Sequence, residues 1–157
     1  MLHVVQGDLL ESDCTVIAHQ CNCFNTMGAG IAKQIKNKYP LAYVMDQQAP
    51  YSPMDRLGEV TFAFYDSPPL LIFNLYGQYS YGKGRHTDYN ALSNSISKMM
   101  RTIQSMPEHV RQEFPFVKVG VPYGLGSGLA GGYWNKVKLI LDYYSEEFKI
   151  DIFAYKL

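Results

Sequence analysis

No charge of either sign dominates this chain of 157 residues: 14 Lys and Arg balance 14 Asp and Glu. A field drawing the whole molecule onto nucleic acid or an anionic membrane is therefore excluded, which leaves only local contacts to a nucleic-acid end. No apolar run approaches the ~20 residues of a membrane span. The start, Met1-Leu2-His3-Val4-Val5, lacks a basic segment ahead of its short apolar run, so no signal peptide is expected. Cysteine is scarce, and Cys14, Cys21 and Cys23 are odd in number and crowded together. That pattern argues against a disulfide framework and for a reducing, cytoplasmic setting. Cys21-x-Cys23 beside His19 has no second Cys or His cluster and matches no common zinc spacing. Neither metal nor cofactor is expected, and a monomer of one domain, residues 1–157, is the simplest organisation.

What is present concentrates in two stretches. Val16-Ile17-Ala18 reads as a buried strand; His19-Gln20-Cys21-Asn22 opens a polar loop; Gly28-Ala29-Gly30 then leads into Ile31-Ala32-Lys33-Gln34-Ile35, which has helical spacing. A strand, a glycine loop and a helix start aim backbone N–H groups and a positive helix end at an anion. Pro122-Tyr123-Gly124-Leu125-Gly126-Ser127-Gly128-Leu129-Ala130-Gly131-Gly132 repeats the arrangement between the strand of residues 116–122 and a helix starting at Trp134. Two such loops at strand ends would grip a diphosphate from both sides of one crevice. Glycines that only make tight turns are the alternative.

Along the chain, strands are expected at residues 2–6, 14–20, 60–65, 70–76, 116–122 and 150–155. The second apolar pair is turned by Asp66-Ser67-Pro68-Pro69 and can form a hairpin. Helices are expected over about 30–39, stopped near Pro40, over 89–105 capped by Thr87 or Asp88, and from Trp134 onward. A helical turn or two and then irregular chain should fill 41–57. The alternation implies an α/β fold, a mixed sheet with helices on both faces.

Four elements in order carry a family resemblance that spans nearly the whole chain: Gly7-Asp8 after the first strand, His19-Gln20-Cys21-Asn22, Gly28-Ala29-Gly30-Ile31-Ala32 and Gly126-Ser127-Gly128-Leu129. The chain resembles a macro domain, the ADP-ribose-binding module. It is similar to the branch with ADP-ribose-1″-phosphate phosphatases and terminal ADP-ribose glycohydrolases, and to phage-encoded relatives. The resemblance implies a three-layer α/β/α fold with a mixed, mostly parallel central sheet. It also implies ADP-ribose or a derivative as ligand, with ADP-ribosylated macromolecules as further partners.

Under that resemblance Asp8, followed by Leu9, accepts a hydrogen bond from the adenine; a helix-capping role is its alternative. Gln20 is a further ligand-binding residue, and Asn22 hydrogen-bonds the distal ribose hydroxyls, where an amide can both donate and accept, unless it is tied to its own loop. Gly28, Ala29, Gly30 and Ile31 present N–H groups to one side of the diphosphate. Ser127, Gly128, Leu129 and Ala130 do so from the other side, Pro122 and Gly126 are further ligand-binding residues, and Tyr155 or Leu157 packs on the adenine, with a core role as the alternative for Tyr155. His19 is the candidate general acid or base, acting with catalytic Asn22, because its free pKa lies near neutrality; a histidine ending a buried strand can equally be structural. The loop 77–88 offers Gln78, Tyr79, Tyr81, Lys83, Arg85 and His86. One departure from the glycohydrolases concerns the aspartate that they pair with a lysine. Its position holds Ala130 here, and no acid but Glu108 and Glu113 lies between Asp88 and Asp142. Hydrolysis of ADP-ribose-1″-phosphate is therefore the expected chemistry, with de-ADP-ribosylation of macromolecules, or binding alone, as alternatives.

Overall fold

The computed structural model describes residues 1–157. Its strands are Leu2–Gln6 (β1), Val16–Gln20 (β2), Val60–Asp66 (β3), Pro69–Leu75 (β4), Val119–Pro122 (β5) and Ile152–Lys156 (β6). They form one sheet in the order β1-β6-β5-β2-β4-β3. Every neighbouring pair is parallel except β3 with β4, the antiparallel hairpin at one edge. All five residues of β2 are buried, and so is β4 after Pro69, which is why Val16-Ile17-Ala18 and Leu70-Leu71-Ile72-Phe73 read as continuous apolar runs. The edge strand β3 alternates buried with exposed positions instead.

The helices are Gly30–Lys38 (α1), Pro40–Gln47 (α2), Pro53–Arg56 (α3), Tyr89–Gln104 (α4), Glu108–Arg111 (α5) and Trp134–Phe148 (α6). Side chains alternate across each strand, so each face of the sheet has its own core. On one face α4 and α6 pack Leu92, Ile96, Met99, Val137 and Leu141 onto Val16, Ala18, Phe73, Leu75 and Val121. On the other, Ile35 of α1 and Ala42 of α2 cover Ile17, Ala63, Leu70 and Ile72. The result is the expected three-layer α/β/α architecture.

Local chemistry explains the boundaries that differ from expectation. Pro40 stops α1 and also opens α2, because the first helical position needs neither the N–H nor the φ freedom that proline lacks. The strand expected from Phe116 begins only at Val119. Ahead of it Thr15 Oγ1 donates to the Phe116 carbonyl and accepts from the Lys118 N–H, each at 2.9 Å, replacing ladder bonds with side-chain bonds. Asp88 is the cap of α4, accepting from the Ala91 N–H at 3.0 Å. Because β1, β6, β5, β2 and β4 are mutually parallel, the loops after β1, β2, β4 and β5 all emerge at one edge of the sheet.

Candidate functional site

At that edge lies a crevice of about 990 Å³ whose walls are the two glycine loops and the loop after β4. The glycine loops meet: Leu129 Cδ1 stands 3.5 Å from where a Gly30 Cβ would be. On the β2 side, Gly28, Ala29, Gly30, Ile31 and Ala32 line the crevice, and none of their N–H groups bonds to a backbone acceptor. These are the unpaired donors that open α1, whose positive end points the same way. On the β5 side Gly126, Gly128, Leu129 and Ala130 line it with N–H groups equally unengaged. Ser127 differs, since its N–H is spent on the Gly124 carbonyl at 2.7 Å and it does not line the crevice. Gly124 and Gly126 hold the turn with φ of +79° and +71°, values that L side chains rarely adopt.

Gln20, at the end of β2, braces the walls. Its Nε2 donates to Gln78 Oε1 and to Thr87 Oγ1, each at 2.9 Å, and Thr87 Oγ1 donates on to the Gly126 carbonyl at 2.6 Å. The Ala130 carbonyl accepts from the His86 and Thr87 N–H groups at 2.7 and 3.2 Å. One amide thus ties the loops after β4 and β5 to the sheet. Asn22 lines the crevice, but its side chain shapes its own loop: Oδ1 accepts from the Phe24 N–H at 2.8 Å and Nδ2 donates to Thr26 Oγ1 at 2.7 Å.

His19 is not at the crevice. It is fully buried, and its Nε2 lies 2.7 Å from Asn74 Oδ1. The reason is strand parity: β2 runs through Gln20, so His19 shares the face of Ile17 and points beneath α2, while Gln20 turns the other way. Burial pushes its pKa down to about 4, against a smaller upward pull from Asn74. A general acid or base working on a crevice ligand is ruled out for it by position. Burial likewise holds the Cys21 thiol far above its ordinary value and Cys23 at about 11, so neither is a ready nucleophile.

Four other expected residues also lie outside the crevice lining or are otherwise engaged. Asp8 is exposed and caps the short 3-10 turn of residues 9–11, accepting from the Leu10 N–H at 3.0 Å. Leu9 is buried against Gly120 beneath that turn. Leu157, expected against the adenine, is 85% exposed and does not line the crevice. Tyr155 instead flanks Gly7, its ring 3.6 Å from where a Cβ would stand there. Of the loop after β4, Gln78, Tyr81 and Lys83 reach the crevice, whereas Arg85 lies 5.5 Å from the Tyr89 ring and Tyr79 packs on Phe24.

Asp46 escaped sequence reasoning. It is 1% exposed, lines the crevice beside Cys21, Met27 and Ala32, and with Lys83 makes up the charged lining. A lone aspartate in an apolar segment gave little signal, although its spacing from Ala42 (i, i+4) puts both on the buried side of α2.

Walls, loops and topology together define a macrodomain fold. The macrodomain of Mycobacterium tuberculosis DarG superposes with a TM-score of 0.77 at 20% identity, covering 100% of this chain and 98% of that one. Thermosipho africanus DarTG, solved in complex with ADP-ribose, superposes with a TM-score of 0.76 at 17% identity, over 98% of this chain and 41% of that one. By sequence the chain is similar to an uncharacterized 17.5 kDa protein of the tk-vs intergenic region of Enterobacteria phage T4: 28% identity over 161 residues, 94% of this chain and 92% of the phage protein. It is 23% identical over 173 residues to an ADP-ribose 1″-phosphate phosphatase of Saccharomyces cerevisiae, covering 95% and 96% of the two chains. No family profile matches.

Proposed function

We propose that the chain binds ADP-ribose in this crevice and hydrolyses ADP-ribose-1″-phosphate to ADP-ribose and phosphate. The observation that carries the binding is the double row of unengaged N–H groups, at 28–32 and at 126 and 128–130, belonging to residues that line the two sides of one cleft. Each amide offers a short, directional bond to a phosphate oxygen, and Lys83 adds a positive charge at the mouth. The adenosine end then lies toward Asp8 and Tyr155, after β1 and on β6, and the distal ribose toward Asn22 and Gln78, after β2 and β4. The yeast relative's name supports the hydrolytic part of the reading. In that reaction water attacks phosphorus, the bond from phosphorus to the 1″ oxygen breaks, and the proton ends on the departing hydroxyl. Asn22, a crevice-lining residue, would orient the water with the second Nδ2 hydrogen and Oδ1 lone pair that its bonds to Thr26 and Phe24 leave free.

A second reading is binding without turnover, or release of ADP-ribose from macromolecules. The burial of His19 away from the cleft favours it, because no histidine then serves the distal end. Two measurements separate the readings: calorimetric titration with ADP-ribose, and phosphate release from ADP-ribose-1″-phosphate without added metal. Saturable binding with phosphate release is expected. Binding without release would overturn the phosphatase reading and leave the others.

A further inference from the structure

Beneath the crevice floor runs a chain of buried polar side chains that the binding reading leaves unused: His19, Asn74, Thr61, Tyr76 and Asp46. Its direction can be worked out link by link. Asn74 Nδ2 donates to the Ala42 carbonyl and to Thr61 Oγ1, both at 3.0 Å; a carbonyl can only accept, so the Asn74 amide has one orientation. Asn74 Oδ1 therefore faces His19, which must donate from Nε2 at 2.7 Å. At the other end the Tyr76 hydroxyl donates to Asp46 Oδ1 at 2.6 Å. Its proton being spent there, Tyr76 accepts from the Thr61 hydroxyl at 2.9 Å. Every donor in the series points the same way, toward Asp46, and aligned bonds of this kind polarise one another in a low-dielectric interior.

The series ends on a carboxylate with a free hand. Sealed polar side-chain atoms without a partner are Gln20 Oε1 and Arg56 Nε. Asp46 Oδ2 has no hydrogen bond to the protein either, yet it is not sealed, because Asp46 opens on the crevice. Arg56 is the cation that offsets its charge, with the guanidinium carbon 5.8 Å from the Tyr76 ring. That guanidinium is itself committed to the carbonyls of Cys23 and Tyr51 and to Asn25 Oδ1. The position matters as well. Tyr76 directly follows β4 and Cys21 directly follows β2, so Asp46 sits at the end of the cleft opposite Asp8 and Tyr155.

We propose that Asp46 is a ligand-selecting residue: its Oδ2 accepts a hydrogen bond from a hydroxyl of the distal ribose, and His19, Asn74, Thr61 and Tyr76 are positioning residues that aim and polarise it. A carboxylate held there, aimed by the series behind it, receives a neutral hydroxyl donor. A diphosphate ligand that carries a distal ribose, with or without a phosphate on its 1″ oxygen, is thereby chosen over one that ends at the diphosphate. Charge-assisted hydrogen bonds are about twice as strong as neutral ones, which sets the size of the selection.

This rests on ADP-ribose being the ligand, and the test separates the two claims. Calorimetry with ADP-ribose and with ADP, which lacks the distal ribose, is run on wild type, Asp46→Asn and Tyr76→Phe. Asp46→Asn is expected to lose about tenfold in affinity for ADP-ribose and nothing for ADP, an effect of the order seen for charged hydrogen bonds. Tyr76→Phe, which keeps the carboxylate but frees it to turn, should show a smaller loss with the same selectivity. Equal losses for both ligands would make Asp46 merely structural and overturn the assignment, as would unchanged binding of ADP-ribose. Wild type that binds ADP-ribose no better than ADP would overturn it by removing the ribose subsite, and wild type that binds neither would sink the ADP-ribose reading itself.

Discussion

His19 makes a quantitative prediction about acid stability. In the folded chain it is held neutral, with a pKa near 4 because burial penalises the imidazolium; in the unfolded chain it titrates near 6.5. A folded-state pKa below the unfolded one gives stability that is fully present above pH 6.5 and is lost as pH falls toward 4. Between pH 7 and pH 5 the unfolded state takes up the proton and the folded state does not. With those two values the loss from His19 alone is about 2 kcal/mol. Asp46 works in the opposite direction, since burial raises its pKa and protonation relieves the desolvated charge. The measurement is therefore a comparison: urea denaturation of wild type and His19→Gln at pH 7 and pH 5. Contributions of Asp46 and of the other histidines are common to both proteins and cancel. The variant should be less stable at pH 7, having lost a fitted ring, but its drop on going to pH 5 should be smaller by about 2 kcal/mol. Equal drops in both proteins would refute the assignment of His19 as a neutral buried residue.

Two further outcomes test the crevice and the core. Gly28 is exposed, and a Cβ there would meet nothing closer than the Thr26 carbonyl at 3.8 Å, so Gly28→Asp should fold normally. The new carboxylate would face the diphosphate, and calorimetry should show ADP-ribose affinity lowered at least tenfold, or about 1.4 kcal/mol; undiminished binding would place the ligand elsewhere. Gly120 in β5 has no room for a side chain, since a Cβ would stand 2.5 Å from Cys14 Sγ and 2.6 Å from Leu9 Cδ1. Gly120→Ala should cost about 2 kcal/mol in a denaturation curve, the usual scale of overpacking, without a direct effect on ligand.

The layered α/β fold and the position of both glycine loops were legible in local pattern alone. Val16-Ile17-Ala18 and Leu70-Leu71-Ile72-Phe73 are apolar without alternation because β2 and β4 are covered on both faces, and that burial leaves its mark in the sequence directly. Glycines at 124 and 126 mark a turn whose φ values few other residues reach, so the loop announces itself. What lies on which face is decided by register. One residue of strand length separates a His19 at the cleft from a His19 under α2, and nothing in Ala18-His19-Gln20 states where β2 ends. Asp46 shows the same limit from the other side. Its chain neighbours identify a helix, but only the packing of α2 over β3 and β4 brings it to Tyr76, thirty positions away, and sets it in the crevice lining. Local propensity and pattern depend on adjacent residues, whereas the floor of the cleft is assembled from β2, β3, β4 and α2, and so exists only in the folded chain.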